Sequence, residues 1–115
     1  MHEFSLAQGL FSQLLQLAET HRAQKIITVR VEIGKLSGIV VDSFSFGFEI
    51  LAMENKLTKN AILEITEIEP VKTCIDCGGI VPFNEQLSGR CPECGSMKFT
   101  LTGGDDLILT QVEME

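Results

Sequence analysis

Two short cysteine motifs carry the clearest chemistry in the chain. Cys74-Ile-Asp-Cys77-Gly78-Gly79 and Cys91-Pro-Glu-Cys94-Gly95-Ser96 are two copies of Cys-x-x-Cys-Gly, with 13 residues between Cys77 and Cys91. Two residues between cysteines let the backbone curl so that both sulfurs face one ion, and the glycine that follows tolerates the positive φ needed to leave the turn. Two such turns supply four thiolates in a tetrahedron, with Zn–S distances of ~2.3 Å and no open coordination position, so the expected ion is a structural Zn(II). The intervening IVPFN and the LSG before Arg90 are too short to form a core. Zinc binding, on the order of 10 kcal/mol, is enough to fold a unit of about 35 residues that burial alone leaves marginal. Rubredoxin-type iron fits the same ligand set. A thioredoxin-like redox pair fits poorly, because it needs one such motif at a helix start in a βαβ setting.

A second chemistry sits at the first residues, Met1-His2-Glu3. The α-amino group of Met1, the deprotonated amide nitrogen of His2 and its imidazole form fused chelate rings with three nitrogens in one plane. That arrangement suits Ni(II) or Cu(II), which favour square-planar nitrogen sites. A fourth ligand must come from elsewhere, which makes the site open and exchangeable. Methionine before a bulky histidine is normally retained, so Met1 is expected to be present. The competing reading is a solvated histidine on a frayed terminus. Glu3 reads as a helix N-terminal carboxylate favoured by the dipole, or as an acid that orients the imidazole or holds the terminus. His21 reads as a solvated helix-end residue.

The elements that must position these groups follow from periodicity. Apolar residues at Phe4, Leu6, Ala7, Leu10, Phe11, Leu14, Leu17 and Ala18 have helical spacing and predict a helix over about 4–21. In IITVRVEIGKL, Ile27, Val29, Val31 and Ile33 alternate with Thr28, Arg30 and Glu32, which predicts a strand with the first set buried. SFSFGFEILAME fits both periods; Asp42 as an N-cap tips it towards a helix. AILEITEIE, ended by Pro70, and the final LILTQVEM read as strands. The order helix, strand, helix, strand, insert, strand predicts an α+β fold, a small sheet covered by two helices, with an inserted zinc-ribbon-like four-cysteine domain. The expected division is 1–69 plus 105–115 for the α+β domain and 70–104 for the cysteine domain.

Composition narrows the function. The 115 residues hold 9 Lys+Arg against 16 Asp+Glu, for a net charge of −7. The segment 70–104 is neutral, so the whole excess lies on the α+β part. An acidic chain is a poor phosphate binder, and neither nucleic acid nor an anionic membrane is an expected partner. No apolar run reaches the ~18 residues of a spanning helix and no secretory signal opens the chain, so the expected location is cytoplasmic. There, paired cysteines read as metal ligands before disulfides. No phosphate loop or nucleophile–base arrangement suggests an enzyme.

Together, Met1-His2-Glu3 with Ser5-Leu6, Glu32-Ile33-Gly34 leading to Leu36-Ser37, the Phe44 to Glu49 stretch and the two cysteine turns resemble the HypA/HybF family of hydrogenase nickel incorporation proteins. The resemblance covers essentially the whole chain. It implies a nickel metallochaperone with His2 as the essential Ni(II) ligand, Met1 and Glu3 in its nickel site, and Cys74, Cys77, Cys91 and Cys94 as Zn(II) ligands. It also implies that SFSFGFEILAME is a helix. The partners it implies are the GTPase HypB and the large subunit of [NiFe] hydrogenase, with urease maturation served by some relatives; the chain itself is expected as monomer or homodimer. Some relatives carry histidines in or beside the cysteine turns, and this chain has none there. The alternative functions are a zinc-ribbon interaction module or a rubredoxin-like electron carrier.

Overall fold

The computed structural model describes residues 3–81 and 89–115. Met1, His2 and the residues 82–88 of the segment between the cysteine turns lie outside that description. The elements are α1 (Glu3–Thr20), β1 (Ile26–Gly34), α2 (Val41–Met53), β2 (Ile62–Ile68), β3 (Val71–Cys74), β4 (Ile80–Val81), β5 (Phe99–Thr102) and β6 (Leu107–Met114). They form two three-stranded sheets, ordered β2-β1-β6 and β4-β3-β5. The first is mixed: β2 runs parallel to β1, joined to it through α2, and β6 runs antiparallel on the other side.

α1 and α2 cover one face of the first sheet, and the fold is α+β. The helical stripe Ala7, Leu10, Leu14 and Ala18 meets Phe44, Phe48 and Ala52 of α2 and Val29, Val31 and Ile33 of β1 in a single buried cluster. The Phe11 and Phe48 rings meet edge to face, with centroids 6.4 Å apart. The helices approach closely at Gly47, where an added Cβ would lie 3.1 Å from Phe4 Cδ1. No helix of the described residues is long and apolar enough to cross a membrane.

The divided stretch is helical from Ser43 to Met53, with Glu54 as the C-cap. Phe44 and Phe48, four residues apart, are buried, while Phe46 projects from the opposite side. Asp42 is not the N-cap. Val40 occupies that position without a side-chain cap, and Asp42 lies in the first turn, where its charge still favours the helix dipole. α1 ends without glycine: Arg22 takes a left-handed φ of 54°, and the Ala23 amide donates to the Ala18 carbonyl, closing the last turn.

The expected alternation of β1 fails at its start. Ile26 and Thr28 are buried, whereas Ile27 faces solvent. The cause is a bulge: Ile26 pairs with Met114 and Thr28 with Glu113, so the extra residue shifts the phase of the strand. A second shift places Arg30 opposite Gln111 and Val31 opposite Leu109. It lets both Leu109 and Val112 of β6 pack on the core although three positions separate them. On the open face, Arg30 bridges Glu64 of β2 and Glu113 of β6 at 3.1 and 2.8 Å.

The two chain crossings between the sheets pass the end of β1. The Gly34 amide donates to Asp106, Lys35 to Ile68 and Leu36 to Gly104, at 2.7–2.8 Å. A Cβ on Gly34 would overlap the Gly104 carbonyl, so the approach requires glycine.

Candidate metal centre

β3 ends on Cys74, and the chain then makes the first cysteine turn. The Gly78 amide donates to the Cys74 carbonyl at 2.9 Å, and the Cys74 amide to the Gly79 carbonyl at 2.8 Å. The second turn repeats this pattern: Gly95 to Cys91 at 2.8 Å and Cys91 to Ser96 at 2.7 Å. Gly78 and Gly95 have φ of 75° and 78°, a region costly for a side-chain-bearing residue, which is why glycine follows each pair. Each turn presents one buried cysteine, Cys74 or Cys91, and one exposed, Cys77 or Cys94.

All four sulfurs lie within 4.8 Å of one another. Cys74 and Cys94 are 3.5 Å apart, and Cys77 and Cys91 3.6 Å. A tetrahedral Zn(II) with ~2.3 Å bonds needs sulfurs about 3.8 Å apart, so this donor set fits such an ion without rearrangement of the turns. Among the described residues, no other cluster of three or more His, Cys, Asp or Glu comes this close.

The thiols of the cluster differ in how readily they give up a proton. Hydrogen bonding from the Cys77 amide, against the effect of burial, holds the Cys74 thiol down to about 7. The Gly79 amide favours a thiolate on Cys77, but the neighbouring sulfurs of Cys91 and Cys74, with burial, push it up to about 12. Cys94 receives the Ser96 amide yet is raised overall by Cys74 and burial. Cys74 thus gives up its proton readily, while Cys77 and Cys94 are held above their ordinary range by the sulfurs around them, because adjacent like charges are unfavourable.

Contacts outside the ligand set fix the turns relative to each other. The Ser96 hydroxyl donates to the Asp76 carboxylate at 2.5 Å and accepts from the Lys98 amide at 3.1 Å. The Ile75 amide donates to Lys98 at 2.9 Å, and the Arg90 guanidinium to the Gly95 carbonyl at 3.2 Å. Sequence reasoning did not find Asp76 and Ser96. The available signal was the position after each Cys-x-x-Cys-Gly, which is Gly79 in one copy and Ser96 in the other. Among the described residues, Val81 and half-buried Phe99 lie beneath the cluster, with the Lys72 ammonium 4.3 Å above the Phe99 ring.

At the other end of the chain the Glu3 carboxylate accepts a hydrogen bond from the Val40 amide at 3.1 Å. This ties the first residue of α1 to the start of α2. Ser37 accepts from the Ile39 amide at 3.2 Å in the same loop. Val40 was not singled out from sequence, since its contribution is a backbone N–H. His21 lies exposed beyond α1, away from any such cluster.

A helix-covered mixed sheet continuous with a four-thiol ribbon defines a small metal-binding protein of the α+β class. Over residues 1–114 the chain matches the family model described as hydrogenase/urease nickel incorporation, metallochaperone, HypA. The chain belongs to the HypA family, the nickel metallochaperones of hydrogenase maturation. It is 35% identical to hydrogenase maturation factor HypA of Methanococcus vannielii, covering 100% of this chain and 98% of that one. It is 33% identical to the protein of that name in Alkalilimnicola ehrlichii, with both chains fully covered. The solution structure of the Ni metallochaperone HypA from Helicobacter pylori matches with TM-score 0.67 and 32% identity, over 99% of this chain and 97% of the other. A second solution structure of a HypA protein matches with TM-score 0.72, 31% identity and 100% and 97% coverage.

Proposed function

We propose that this protein carries Ni(II) at its amino terminus and delivers it during maturation of [NiFe] hydrogenase, while Cys74, Cys77, Cys91 and Cys94 hold a structural Zn(II). The observation that carries the reading is the family match from residue 1 onwards, in a chain that opens Met1-His2-Glu3. The amine of Met1 and the amide and imidazole nitrogens of His2 supply three planar donors for Ni(II), which is cargo and must be released. Glu3 supports the site by holding the start of α1 against Val40. Residues 1–69 and 105–115 form the nickel-handling unit and 70–104 the zinc unit. The protein acts as a carrier and not as an enzyme, in the cytoplasm, with the GTPase HypB and the hydrogenase large subunit as its partners.

Nickel titration of the wild type, His2→Ala and an N-terminally extended form tests the proposal. Both changes are expected to weaken nickel binding strongly, because each removes a nitrogen donor. Unchanged affinity in both variants would overturn it. Metal analysis of the protein as isolated tests the thiolate site: about one zinc and no colour is expected, whereas red, iron-containing protein would favour an electron carrier.

A further inference from the structure

The helical layer exposes apolar surface next to the residue that anchors the amino terminus. Phe46, Ile50 and Met53 lie at i, i+4 and i+7 of α2, so they share one face. They are 65%, 38% and 71% exposed, and Phe4 of α1, at 46%, stands across a shallow groove from them. The groove runs from Glu3 and Phe4 past Ser43 to Phe46, Gly47 and Ile50. Gly47 leaves it open, because any side chain there would meet Phe4. Nothing in the core requires a large apolar residue on this side of α2, since Phe44 and Phe48 already fill the inner face.

The charged side chains within the two helices have one sign. α1 carries Glu3 and Glu19, α2 carries Asp42 and Glu49, and neither helix contains Lys or Arg. Glu49 adjoins Ile50 and Glu54 follows Met53. Two copies of the chain meeting through this face would bring these carboxylates together with no counter-charge from either helix, and an anionic membrane or a nucleic acid would be disfavoured. An apolar stripe with an acidic rim complements an amphipathic protein segment whose apolar face is flanked by Lys and Arg.

From this complementarity we infer that the groove between Phe4 and the Phe46–Ile50–Met53 face of α2 is the docking site for a basic amphipathic helix of a partner protein. Its use in handing over nickel rests on the proposed function, since docking here would bring the partner beside Glu3; the docking surface itself does not. The test is an NMR titration of isotope-labelled full-length protein. The probes are a synthetic helical peptide with leucines at i, i+4 and i+7 flanked by lysines, and a counterpart with glutamates in place of the lysines. The lysine peptide is expected to shift the amides of Phe4 and of 43–53, with an affinity that falls as salt rises. Phe46→Glu and Glu49→Lys, both surface changes, should each weaken it, the first by about tenfold or more. Equal binding of the glutamate peptide, shifts elsewhere, or affinity untouched by both variants would overturn the inference. So would binding to anionic vesicles in preference to the peptide, or self-association abolished by Phe46→Glu. Nickel titration of Phe46→Glu separates the two readings, because the docking change is expected to leave nickel affinity unaltered.

Discussion

The four cysteine sulfurs show how side chains of one type acquire different properties from their surroundings. The turn amides stabilise a thiolate on Cys74, whose thiol falls to about 7, while Cys77 is pushed up to about 12 and Cys94 lies above its ordinary value. Metal binds thiolates, so at pH 7.5 the protons on Cys77 and Cys94 must leave when an ion enters. Affinity therefore rises with pH near neutrality and falls as acid returns those protons. Calorimetry of zinc binding in buffers of different ionisation enthalpy is expected to report at least these two protons per ion; release of fewer than one would contradict the assigned protonation. Glu3 is a different kind of case. Its carboxylate reaches a backbone amide 37 positions away, so its role depends on where the fold brings Val40 and not on its neighbours in the chain.

Among the elements, α2 discriminates best between sequence pattern and packing. Its alternating phenylalanines suit a strand, yet the helix buries Phe44 and Phe48 and leaves Phe46 outside. Phe44→Ala is accordingly expected to destabilise the protein by about 3–5 kcal/mol and Phe46→Ala by less than about 0.5 kcal/mol, measured by chemical denaturation. A strand-like register would make the two substitutions equivalent. Gly34→Ala is a stricter test of the crossing at the end of β1, since the new methyl has only backbone in front of it. It should cost about 2 kcal/mol or more and perturb the amides of Leu36 and Gly104, and a neutral effect would refute the close approach. These elements also mark the limits of what the chain reveals by itself. α1 was readable because its helical apolar spacing continues over many residues, and β6 because its run of Leu107, Ile108, Leu109 and Val112 suits a strand even though a bulge interrupts its alternation. The start of β1 was misread because a bulge is defined by its partner strand, and pairing with β6 joins positions some 80 residues apart. The strands of the cysteine unit were not anticipated, since β3, β4 and β5 are two to four residues long and have no period to detect. The clustering of the cysteines was legible because the turn chemistry is local and repeated; the Asp76–Ser96 bond between turns was not, because it spans 20 positions.

For the molecule as a whole, the distribution of apolar residues determines how it should come apart. A compact domain of this length has a radius of gyration of about 13 Å. This chain measures 18.4 Å and extends 56 Å along its longest axis, because its two sheets have separate cores. The larger core contains eleven buried residues from both helices and β1. Among the described residues the smaller consists of Cys74, Val81 and Cys91 with Phe99 packed against them, so two of these three buried residues are themselves candidate ligands. The apolar burial among the described residues of this unit is too small to offset their conformational entropy, at about 1–2 kcal/mol per residue, without an additional source of free energy. Tetrahedral thiolate coordination would provide it. Removing the ion with a strong chelator is therefore expected to collapse the amide dispersion of 71–102 while the far-UV helical signal persists, because α1 and α2 both belong to the other unit. The disturbance should also reach Leu36, whose amide is bonded to Gly104, and weaken along the loop towards Val40. Re-addition of zinc should restore the native spectrum. Preserved dispersion of 71–102 in the metal-free protein would contradict a metal-dependent fold, and loss of helix in step with the ribbon would show that the two cores unfold as one.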